Sequence, residues 1–165
     1  MDFYNKLISE GYYTFELNLP ENWYELTKSQ CYDELDSEAK KQLMPSGLLF
    51  KAMQAKCPQI FSKSLSTFEH ILSLRVGPEE EEYDGIWHDD GSRLLAFSLS
   101  LNLEYQKIRG GHLSLRNKLL PNEVYNIHPR DFGTITIFCT GQDGWEHKTN
   151  LVSQGERLVL AGWLT

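Results

Sequence analysis

The sequence lacks the features that mark secreted, membrane-spanning and zinc-finger proteins. Its three cysteines, Cys31, Cys57 and Cys139, are odd in number and widely scattered, so they form neither a disulfide framework nor a zinc-binding spacing. No apolar run approaches the roughly 20 residues of a membrane span, and residues 1–10 have no basic-then-apolar signal pattern. We therefore expect a cytoplasmic protein with no membrane association.

The chain also has no excess of basic over acidic residues. The 165 residues include 23 Asp and Glu but only 16 Lys and Arg, which gives a formal net charge of -7. An acidic protein repels phosphate backbones, and this disfavours nucleic acid as a partner. With 41% hydrophobic and 24% charged residues, the chain has the composition and length of one globular domain with a hydrophobic core.

The chain divides into a mainly helical part, residues 1–68, and a strand-rich part, residues 70–165. The predicted helices of the first part cover residues 20–35, 36–43 and 47–56, and its one predicted strand covers residues 12–17. Apolar runs separated by Gly- and Pro-containing turns predict the strands of the second part, over residues 70–76, 93–101, 111–117, 133–139, 147–152 and 156–164. We predict one domain of the α+β class, mainly β, in which helices support an antiparallel sandwich or barrel.

A His-x-Asp pair, His88 and Asp90, precedes one of these strands. Side chains two positions apart on an extended chain point to the same side, so both can reach one metal ion. A metal site needs a third ligand, and His147, which follows a Gly-rich turn, is the best candidate. Two His and one carboxylate on one face of an ion leave other positions open, as in non-haem Fe(II) oxygenases. Asp89 should point away from that ion, and a hydrogen-bonded surface turn is the alternative explanation of the pair.

Arg157 lies in a run, residues 156–164, whose two faces are both mostly apolar. A strand covered on both sides would bury the guanidinium group, and a buried charge needs a partner. One interpretation is a salt bridge to an acidic residue, or a solvent-exposed position at the end of the strand. The other interpretation is a bidentate clamp for the carboxylate of a small ligand.

The ordered set His88, Asp90, His147 and Arg157 resembles the double-stranded β-helix 2-oxoglutarate- and Fe(II)-dependent oxygenases, in particular their prolyl-4-hydroxylase-like branch. The runs SLSLN, GGHLSL, HPRDFGTITIFC and GERLVLAGWL are also similar to that branch. The resemblance covers residues 70–165. It implies a double-stranded β-helix core of the jelly-roll or cupin-like kind, with N-terminal supporting helices.

The resemblance also implies a set of cofactors and their ligands. Fe(II) would bind His88, Asp90 and His147, while 2-oxoglutarate would chelate the metal and place its distal carboxylate on Arg157. O2 and 2-oxoglutarate would then be converted so that succinate and CO2 are released and a C–H bond of the substrate is hydroxylated. Ascorbate is expected as a supporting reductant. The presence of Asp90 argues against a halogenating enzyme of this family, because the halogenating variants lack that carboxylate.

At two positions this sequence differs from the prolyl-4-hydroxylase-like branch, whose members often have a tyrosine at each of them. One is Val76 in the strand before the metal pair, and the other is Ser100, which shares a polar strand face with Ser98 and Asn102. Ser100 either donates a hydrogen bond to the co-substrate or faces solvent. The Gly110–Gly111 pair indicates a bend or bulge, which the resemblance places near the active-site rim.

Three other classes of protein remain as alternatives. An AlkB-type nucleic-acid demethylase carries a second arginine six positions after the clamp, where this chain has Trp163. Metal-binding cupins favour an H-x-H pair, and the sequence contains no such pair. A β-sandwich binding module would carry the His and Asp by chance, and it would show no iron-dependent turnover of 2-oxoglutarate.

The expected substrate is a protein or peptide side chain, because the short chain offers few elements that could enclose a small molecule. A free amino acid or another small molecule is the alternative. The acidic run of residues 79–84 is either a solvated loop or a mobile lid that favours a basic partner. Arg93 and Arg116 are further candidates for the substrate rim.

Overall fold

The fold is seen in a computed structural model that describes Leu7 and residues 9–62, 67–78, 85–142 and 144–165. The acidic run interpreted as a solvated loop or a lid, residues 79–84, lies outside these residues. Within the described ranges the helices are α1 Glu21–Lys28, α2 Tyr32–Gln42, α3 Leu48–Lys56 and α4 Pro58–Phe61. The strands are β1 Tyr12–Glu16, β2 Phe68–Gly77, β3 Leu95–Ser100, β4 Arg109–Gly110, β5 Leu113–Arg116, β6 Val124–Ile127, β7 Thr134–Cys139, β8 Glu146–Thr149 and β9 Val152–Leu164.

The strands form two antiparallel sheets. The larger sheet has the order β1-β7-β3-β9-β2, with β4 paired to the start of β9, and the smaller sheet has the order β6-β5-β8. Alternation along β3 sends Leu95, Phe97 and Leu99 to the helix side, whereas Ala96 packs with Leu115 of the smaller sheet. The architecture confirms the predicted mainly β class with a jelly-roll, or double-stranded β-helix, core.

The helices cover the outer face of the larger sheet. Trp23, Leu35 and Met53 of the helices are fully buried in one cluster with Phe97 and Ile137 of the sheet. Complete burial of one such apolar side chain contributes about 1.5–3 kcal/mol. The cluster therefore fixes the helices on the sheet, as the predicted supporting role requires. None of the helices in the described part of the chain is long and apolar enough to cross a membrane.

The predicted helix over residues 20–35 is wrong, because the chain turns at Gln30. Gln30 has a φ of 57°, in the left-handed region. The amides of Gln30 and Cys31 donate back to carbonyls of the last turn of α1 at 3.1 and 2.9 Å, the pair of bonds of a Schellman motif. Glycine usually occupies this left-handed position, so a glutamine there gives no stop signal in the sequence. The predicted helix over residues 36–43 is the second part of α2.

The strands of the second half match the sequence prediction, apart from the two-residue strand β4, which was not predicted, and two further differences. The run predicted as one strand over residues 147–152 is divided, because β8 ends at Thr149 and β9 begins at Val152. The second difference is β6, Val124–Ile127, which was not predicted. Three of its four residues are exposed, so it lacks the alternation of apolar and polar residues that marks a half-buried strand.

Candidate metal centre

Two histidines from distant parts of the chain are held together by main-chain pairing. The amide of His88 donates to the carbonyl of His147 at 3.1 Å, and the amide of His147 donates to the carbonyl of His88 at 2.9 Å. This isolated β-bridge joins the segment before β3 to β8. The two imidazole ring centroids are 4.3 Å apart. The backbone alone therefore brings both rings to one point.

Asp90 completes the cluster. The ligand atoms of His88, Asp90 and His147 all lie within 4.8 Å of one another. Asp90 Oδ1 is 3.8 Å from His88 Nε2, and Asp90 Oδ2 is 3.6 Å from His147 Nε2. Both separations are too long for a hydrogen bond, and the three donors surround a single point. The structure thus brings the three predicted ligands together, and their binding of a metal ion stays a prediction.

The two imidazoles are in states that suit a metal ligand. His88 Nδ1 is 2.7 Å from the carbonyl oxygen of Ile86, which leaves Nε2 for an ion. His147 Nδ1 is buried and has no hydrogen-bond partner among the described residues. Burial lowers the pKa of His147 to about 4, while the charge of Asp90 opposes this shift and that of His88 adds to it. His147 is therefore neutral at neutral pH, the state in which imidazole binds a metal.

Thr140 holds the Asp90 carboxylate in place, and sequence reasoning missed it. The Thr140 hydroxyl donates to Asp90 Oδ2 at 2.7 Å and lies 3.3 Å from the Asp90 amide nitrogen. Thr140 is buried and directly follows β7. A threonine at the end of a strand is common in any sheet. Only the pairing of β7 with β3 brings it beside the segment that carries Asp90.

Asp89 points away from the cluster because Lys118 holds it elsewhere. Lys118 Nζ donates to Asp89 Oδ2 at 2.7 Å and to the carbonyls of Gly141 and Gln142 at 2.9 and 2.8 Å. The amide of Gly91 donates to Asp89 Oδ1 at 2.9 Å. The hydrogen bond from Lys118 is the largest cause of a lowered pKa of the Asp89 carboxyl group. Asp89 is thus engaged as a surface ion pair.

A cavity of about 190 Å³ joins the two histidines to Arg157. Arg157 is only 5% exposed, and no ion pair to it occurs among the described residues. Burial is the main cause that lowers the pKa of Arg157 to about 10, and the charge of Arg75 adds to it. The guanidinium group is still charged at neutral pH. A buried cation that faces a cavity favours the interpretation as a clamp for an anionic ligand.

Arg75 also faces this cavity, whereas the sequence analysis singled out its neighbour Val76. In the pairing of β2 with β9, Arg75 lies opposite Arg157 and Val76 lies opposite Glu156. Successive side chains of a strand point to opposite faces, so Val76 is turned away from the cavity and is 39% exposed. Of these two neighbours, the one that faces the cavity is therefore Arg75, which sequence reasoning did not single out.

Ser100 lies beside Arg157, in a small adjoining cavity of about 20 Å³. Its exposure of 7% excludes the solvent-facing alternative. Gly111 lines the same cavity with a φ of 66°, and a Cβ atom there would lie 2.8 Å from Arg157 Cδ. The pairing of β4 with β9 is irregular at the preceding Gly110, as the glycine pair predicted. Gly111 therefore makes room for the Arg157 side chain.

Arg93, a predicted rim residue, is next to the cavity but already has partners. Its Nε donates to Glu69 Oε2 at 2.7 Å. Its guanidinium carbon lies 5.3 Å from the ring centroid of Trp163, which lines the cavity. Arg93 thus packs behind a wall residue of the cavity, and its contact with a substrate stays a prediction.

Arg116, the other predicted rim residue, braces the segment that carries His88. Its Nε donates to Glu146 Oε2 at 2.7 Å. Its guanidinium carbon lies 4.3 Å from the ring centroid of Trp87, and Lys148 Nζ lies 5.4 Å from the same centroid. These contacts hold Trp87, the neighbour of His88, on the smaller sheet. A contact of Arg116 with a substrate stays a prediction.

Comparisons with known proteins find similarity among solved structures. No protein-family profile matches the sequence, and no curated protein is significantly similar to it. A Pseudomonas putida prolyl-4-hydroxylase gives a TM-score of 0.67 at 18% identity, over 98% of this chain and 88% of that chain. A 2OG-Fe(II) oxygenase family oxidoreductase from Burkholderia pseudomallei gives 0.63 at 12% identity, over 99% and 89%. A Trichoplax adhaerens prolyl hydroxylase, in complex with a hypoxia inducible factor peptide fragment, gives 0.58 at 15% identity, over 99% and 87%.

These similarities establish the fold. The chain has the fold of prolyl-4-hydroxylases and of a 2OG-Fe(II) oxygenase family protein over nearly its whole length. The fold expected from the sequence resemblance is thereby confirmed. Within that fold, the chain carries a His-Asp-His cluster whose two histidines line a cavity, and a buried arginine lines the same cavity.

Proposed function

We propose that this protein is a 2-oxoglutarate- and Fe(II)-dependent dioxygenase that hydroxylates an unactivated C–H bond. The observation that carries the proposal is the single cavity that joins the His88, Asp90 and His147 cluster to the buried Arg157. The fold, which is that of prolyl-4-hydroxylases, supports it. An AlkB-type demethylase is less favoured, because the net charge is -7 and position 163 is a tryptophan.

The proposal treats residues 1–165 as one oxygenase domain in a cytoplasmic protein. Strand β1 comes from the mainly helical part of the sequence, yet it pairs with β7 of the larger sheet. The helices share their buried cluster with the same sheet. The described residues between Leu7 and Phe68 are therefore part of the structure that supports the site.

The donor set fits Fe(II). His88 and His147 each supply an imidazole, and burial keeps the imidazole of His147 neutral. Asp90 supplies one carboxylate, and none of the described Lys or Arg residues forms an ion pair with it. Two His and one carboxylate are the donor set of non-haem Fe(II) oxygenases. When bound, Fe(II) and 2-oxoglutarate supply the oxidation of a C–H bond by O2, with release of succinate and CO2.

The residues of this chain bind and orient the co-substrate. Arg157 offers two parallel N–H donors to the distal carboxylate of 2-oxoglutarate, and the buried hydroxyl of Ser100 lies in the adjoining cavity. Apolar wall residues of the main cavity, such as Phe138 and Val159, exclude water from the bound anion. Exclusion of water strengthens the charge-assisted hydrogen bonds, because the local dielectric constant falls.

A protein or peptide side chain is the proposed substrate, with a free amino acid or other small molecule as the alternative. Ile71 lines the cavity and is 52% exposed, and Trp163 lies beside it in the wall. An exposed apolar wall suits a partner that brings apolar surface of its own. The Trichoplax adhaerens neighbour is a prolyl hydroxylase in complex with a peptide, and this supports a peptide substrate here.

The deciding experiment is a substrate screen with anaerobically loaded Fe(II) protein. We expect succinate release that requires Fe(II), 2-oxoglutarate and O2, with ascorbate as a supporting reductant, and the gain of one oxygen atom by a peptide in mass spectrometry. His147→Ala should abolish both signals. His70→Ala is the matched control, because His70 pairs with Asp36 on the helix side of the larger sheet.

Two results of this screen would contradict parts of the proposal. Unchanged succinate release by the His147→Ala protein would overturn the assigned metal centre. Oxidation of free amino acids alone would refute the peptide substrate and leave the oxygenase reaction in place.

A further inference from the structure

One arginine of the smaller sheet contacts the sequence neighbours of both metal-site histidines. Arg116 Nε donates to Glu146 Oε2 at 2.7 Å, and Glu146 directly precedes His147. The guanidinium carbon of Arg116 lies 4.3 Å from the ring centroid of Trp87, which directly precedes His88. A single side chain of β5 is therefore joined to both of the segments that meet at the metal centre.

The contacts of Arg116 lie on the other side of these segments from the imidazoles. Successive side chains of an extended chain point to opposite faces. His88 and His147 line the cavity, and neither Trp87 nor Arg116 belongs to its lining. The arginine thus holds the two segments from the outer face of the smaller sheet and does not enter the cavity.

The segment that carries His88 has only a short main-chain attachment. Strands β5 and β8 pair over four residue pairs. The described attachment of residues 85–88 to β8 consists of the reciprocal His88–His147 pair and one hydrogen bond, from the Gly85 amide to the Thr149 carbonyl at 2.8 Å. Each such bond contributes about 0.5–1.5 kcal/mol net. With so few of them, the position of the segment depends on side-chain contacts as well.

His88 is also the least enclosed of the three proposed ligands. Its side chain is 52% exposed, whereas the side chains of His147 and Asp90 are 9% and 6% exposed. Packing therefore holds the His147 ring, and the Thr140 hydroxyl holds the Asp90 carboxylate. The position of the His88 ring depends more on where its main chain is held, and Trp87, the residue before it, is fixed by a cation–π contact.

We infer that Arg116 is a positioning residue for the metal centre; this inference rests on the proposed function. By joining Trp87 to Glu146, the guanidinium group fixes the spacing of the two segments, and with it the spacing of the two imidazoles, before an ion binds. A preformed site loses less conformational entropy on binding, so its affinity for the ion is higher. Arg116 acts through the neighbours of the ligands and needs no contact with a substrate for this role.

The test is anaerobic competition titration of the metal-free protein with Fe(II). Arg116→Ala should weaken Fe(II) binding about ten-fold, the lower end of the usual range for residues that support metal ligands, because Arg116 acts one residue away from each ligand. Arg116→Lys should recover part of the affinity, since it keeps a cation between Glu146 and Trp87. The visible spectrum of Co(II) bound at the same site reports the arrangement of the ligands, and it should change in Arg116→Ala.

Arg93→Ala is the matched control. Arg93 also combines an ion pair, to Glu69 at 2.6 Å, with a ring contact, to Trp163 at 5.3 Å. Neither partner is next to a proposed metal ligand in the sequence. The metal-free Arg93→Ala and Arg116→Ala proteins should lose similar amounts of thermal stability, because each loses the same two kinds of contact. Only Arg116→Ala should lose Fe(II) affinity.

A second variant, Trp87→Leu, tests the same connection from its other end and serves if Arg116→Ala does not fold. It removes the ring that the guanidinium group contacts, so it should give a similar loss of Fe(II) affinity. In the double variant the two losses should not add, because either change alone breaks the connection.

The other outcomes overturn the inference in distinguishable ways. Wild-type Fe(II) affinity and an unchanged Co(II) spectrum in Arg116→Ala or Trp87→Leu refute the role of Arg116 and leave the proposed function standing. Additive losses in the double variant refute the connection, and an equal loss in Arg93→Ala shows a general effect of stability and also refutes it. If the wild-type protein binds neither Fe(II) nor Co(II), the inference and the proposed function fail together.

Discussion

Thr140 and Asp90 are joined at two atoms, because the Thr140 hydroxyl donates to the carboxylate at 2.7 Å and lies 3.3 Å from the Asp90 amide nitrogen. One hydroxyl thus orients both the side chain and the main chain of a proposed metal ligand. A ligand carboxylate that is free to rotate must be ordered when the metal binds, and this ordering opposes binding.

Thr140→Val should therefore weaken metal binding. The valine keeps the shape of the side chain but removes the hydroxyl, and loss of such a supporting contact usually lowers metal affinity about 10–100-fold. Anaerobic competition titration with Fe(II) measures the change. Thr14→Val is the control, since it removes a hydroxyl paired with Thr136 on β7. Equal affinities of the Thr140→Val and wild-type proteins would show that Asp90 needs no such support.

Asp89→Ala and Asp90→Ala should have opposite outcomes in the same titration. Asp90 contributes one of only three proposed ligands, so its loss should abolish tight Fe(II) binding. Asp89 is paired with Lys118, so its loss should leave Fe(II) binding largely intact. The reverse result would reassign the carboxylate ligand to Asp89.

Arg157→Gln should weaken 2-oxoglutarate binding by roughly 2–5 kcal/mol, the usual effect of truncating one partner of a desolvated charged pair. The prediction depends on the burial of Arg157, which is 5% exposed. Fe(II) affinity without 2-oxoglutarate should stay as in the wild type. Calorimetry that finds unchanged 2-oxoglutarate affinity would remove Arg157 from the co-substrate site.

Gly111→Ala should displace Arg157 and weaken 2-oxoglutarate binding. A Cβ atom at Gly111 would lie 2.8 Å from Arg157 Cδ, and the φ of 66° adds strain of about 1–2 kcal/mol for an L-residue. Gly91→Ala is the matched control, because Gly91 has a φ of 64° but no atom within 4 Å of its Cβ position. Both variants should lose thermal stability, and only Gly111→Ala should lose 2-oxoglutarate affinity. Equal 2-oxoglutarate affinities in the two variants would contradict the proposed close packing.

The sequence was sufficient to predict the strands and the cluster because both depend on short-range patterns. The spacing of His88 and Asp90 puts two side chains on one side of an extended chain. The mostly apolar character of both faces of residues 156–164 predicts that Arg157 is buried. These patterns are local. The distant third residue, His147, was chosen because it follows a Gly-rich turn at the start of a strand-like run, and the resemblance then supported it. The structure brings His88, His147 and Arg157 to one cavity, and Asp90 lies beside the two histidines.

The residues that were missed are those whose role depends on strand pairing. Arg75 reaches the site only through its register with Arg157, and Thr140 reaches Asp90 only because β7 lies beside β3. No pattern within either segment reports which strand will be its neighbour. The turn at Gln30 was missed for a different reason, since its left-handed backbone is held by the folded chain and not by a glycine.

The main-chain bridge between His88 and His147 would couple the proposed metal binding to folding. The two residues belong to separate segments that meet only in the folded chain, so an unfolded chain offers an ion scattered donors. An ion that binds the folded state alone stabilises it by about 2.7 kcal/mol when free metal is 100 times its dissociation constant. Chelation would therefore lower the melting temperature as well as the activity, and iron availability would regulate how much of the chain survives proteolysis.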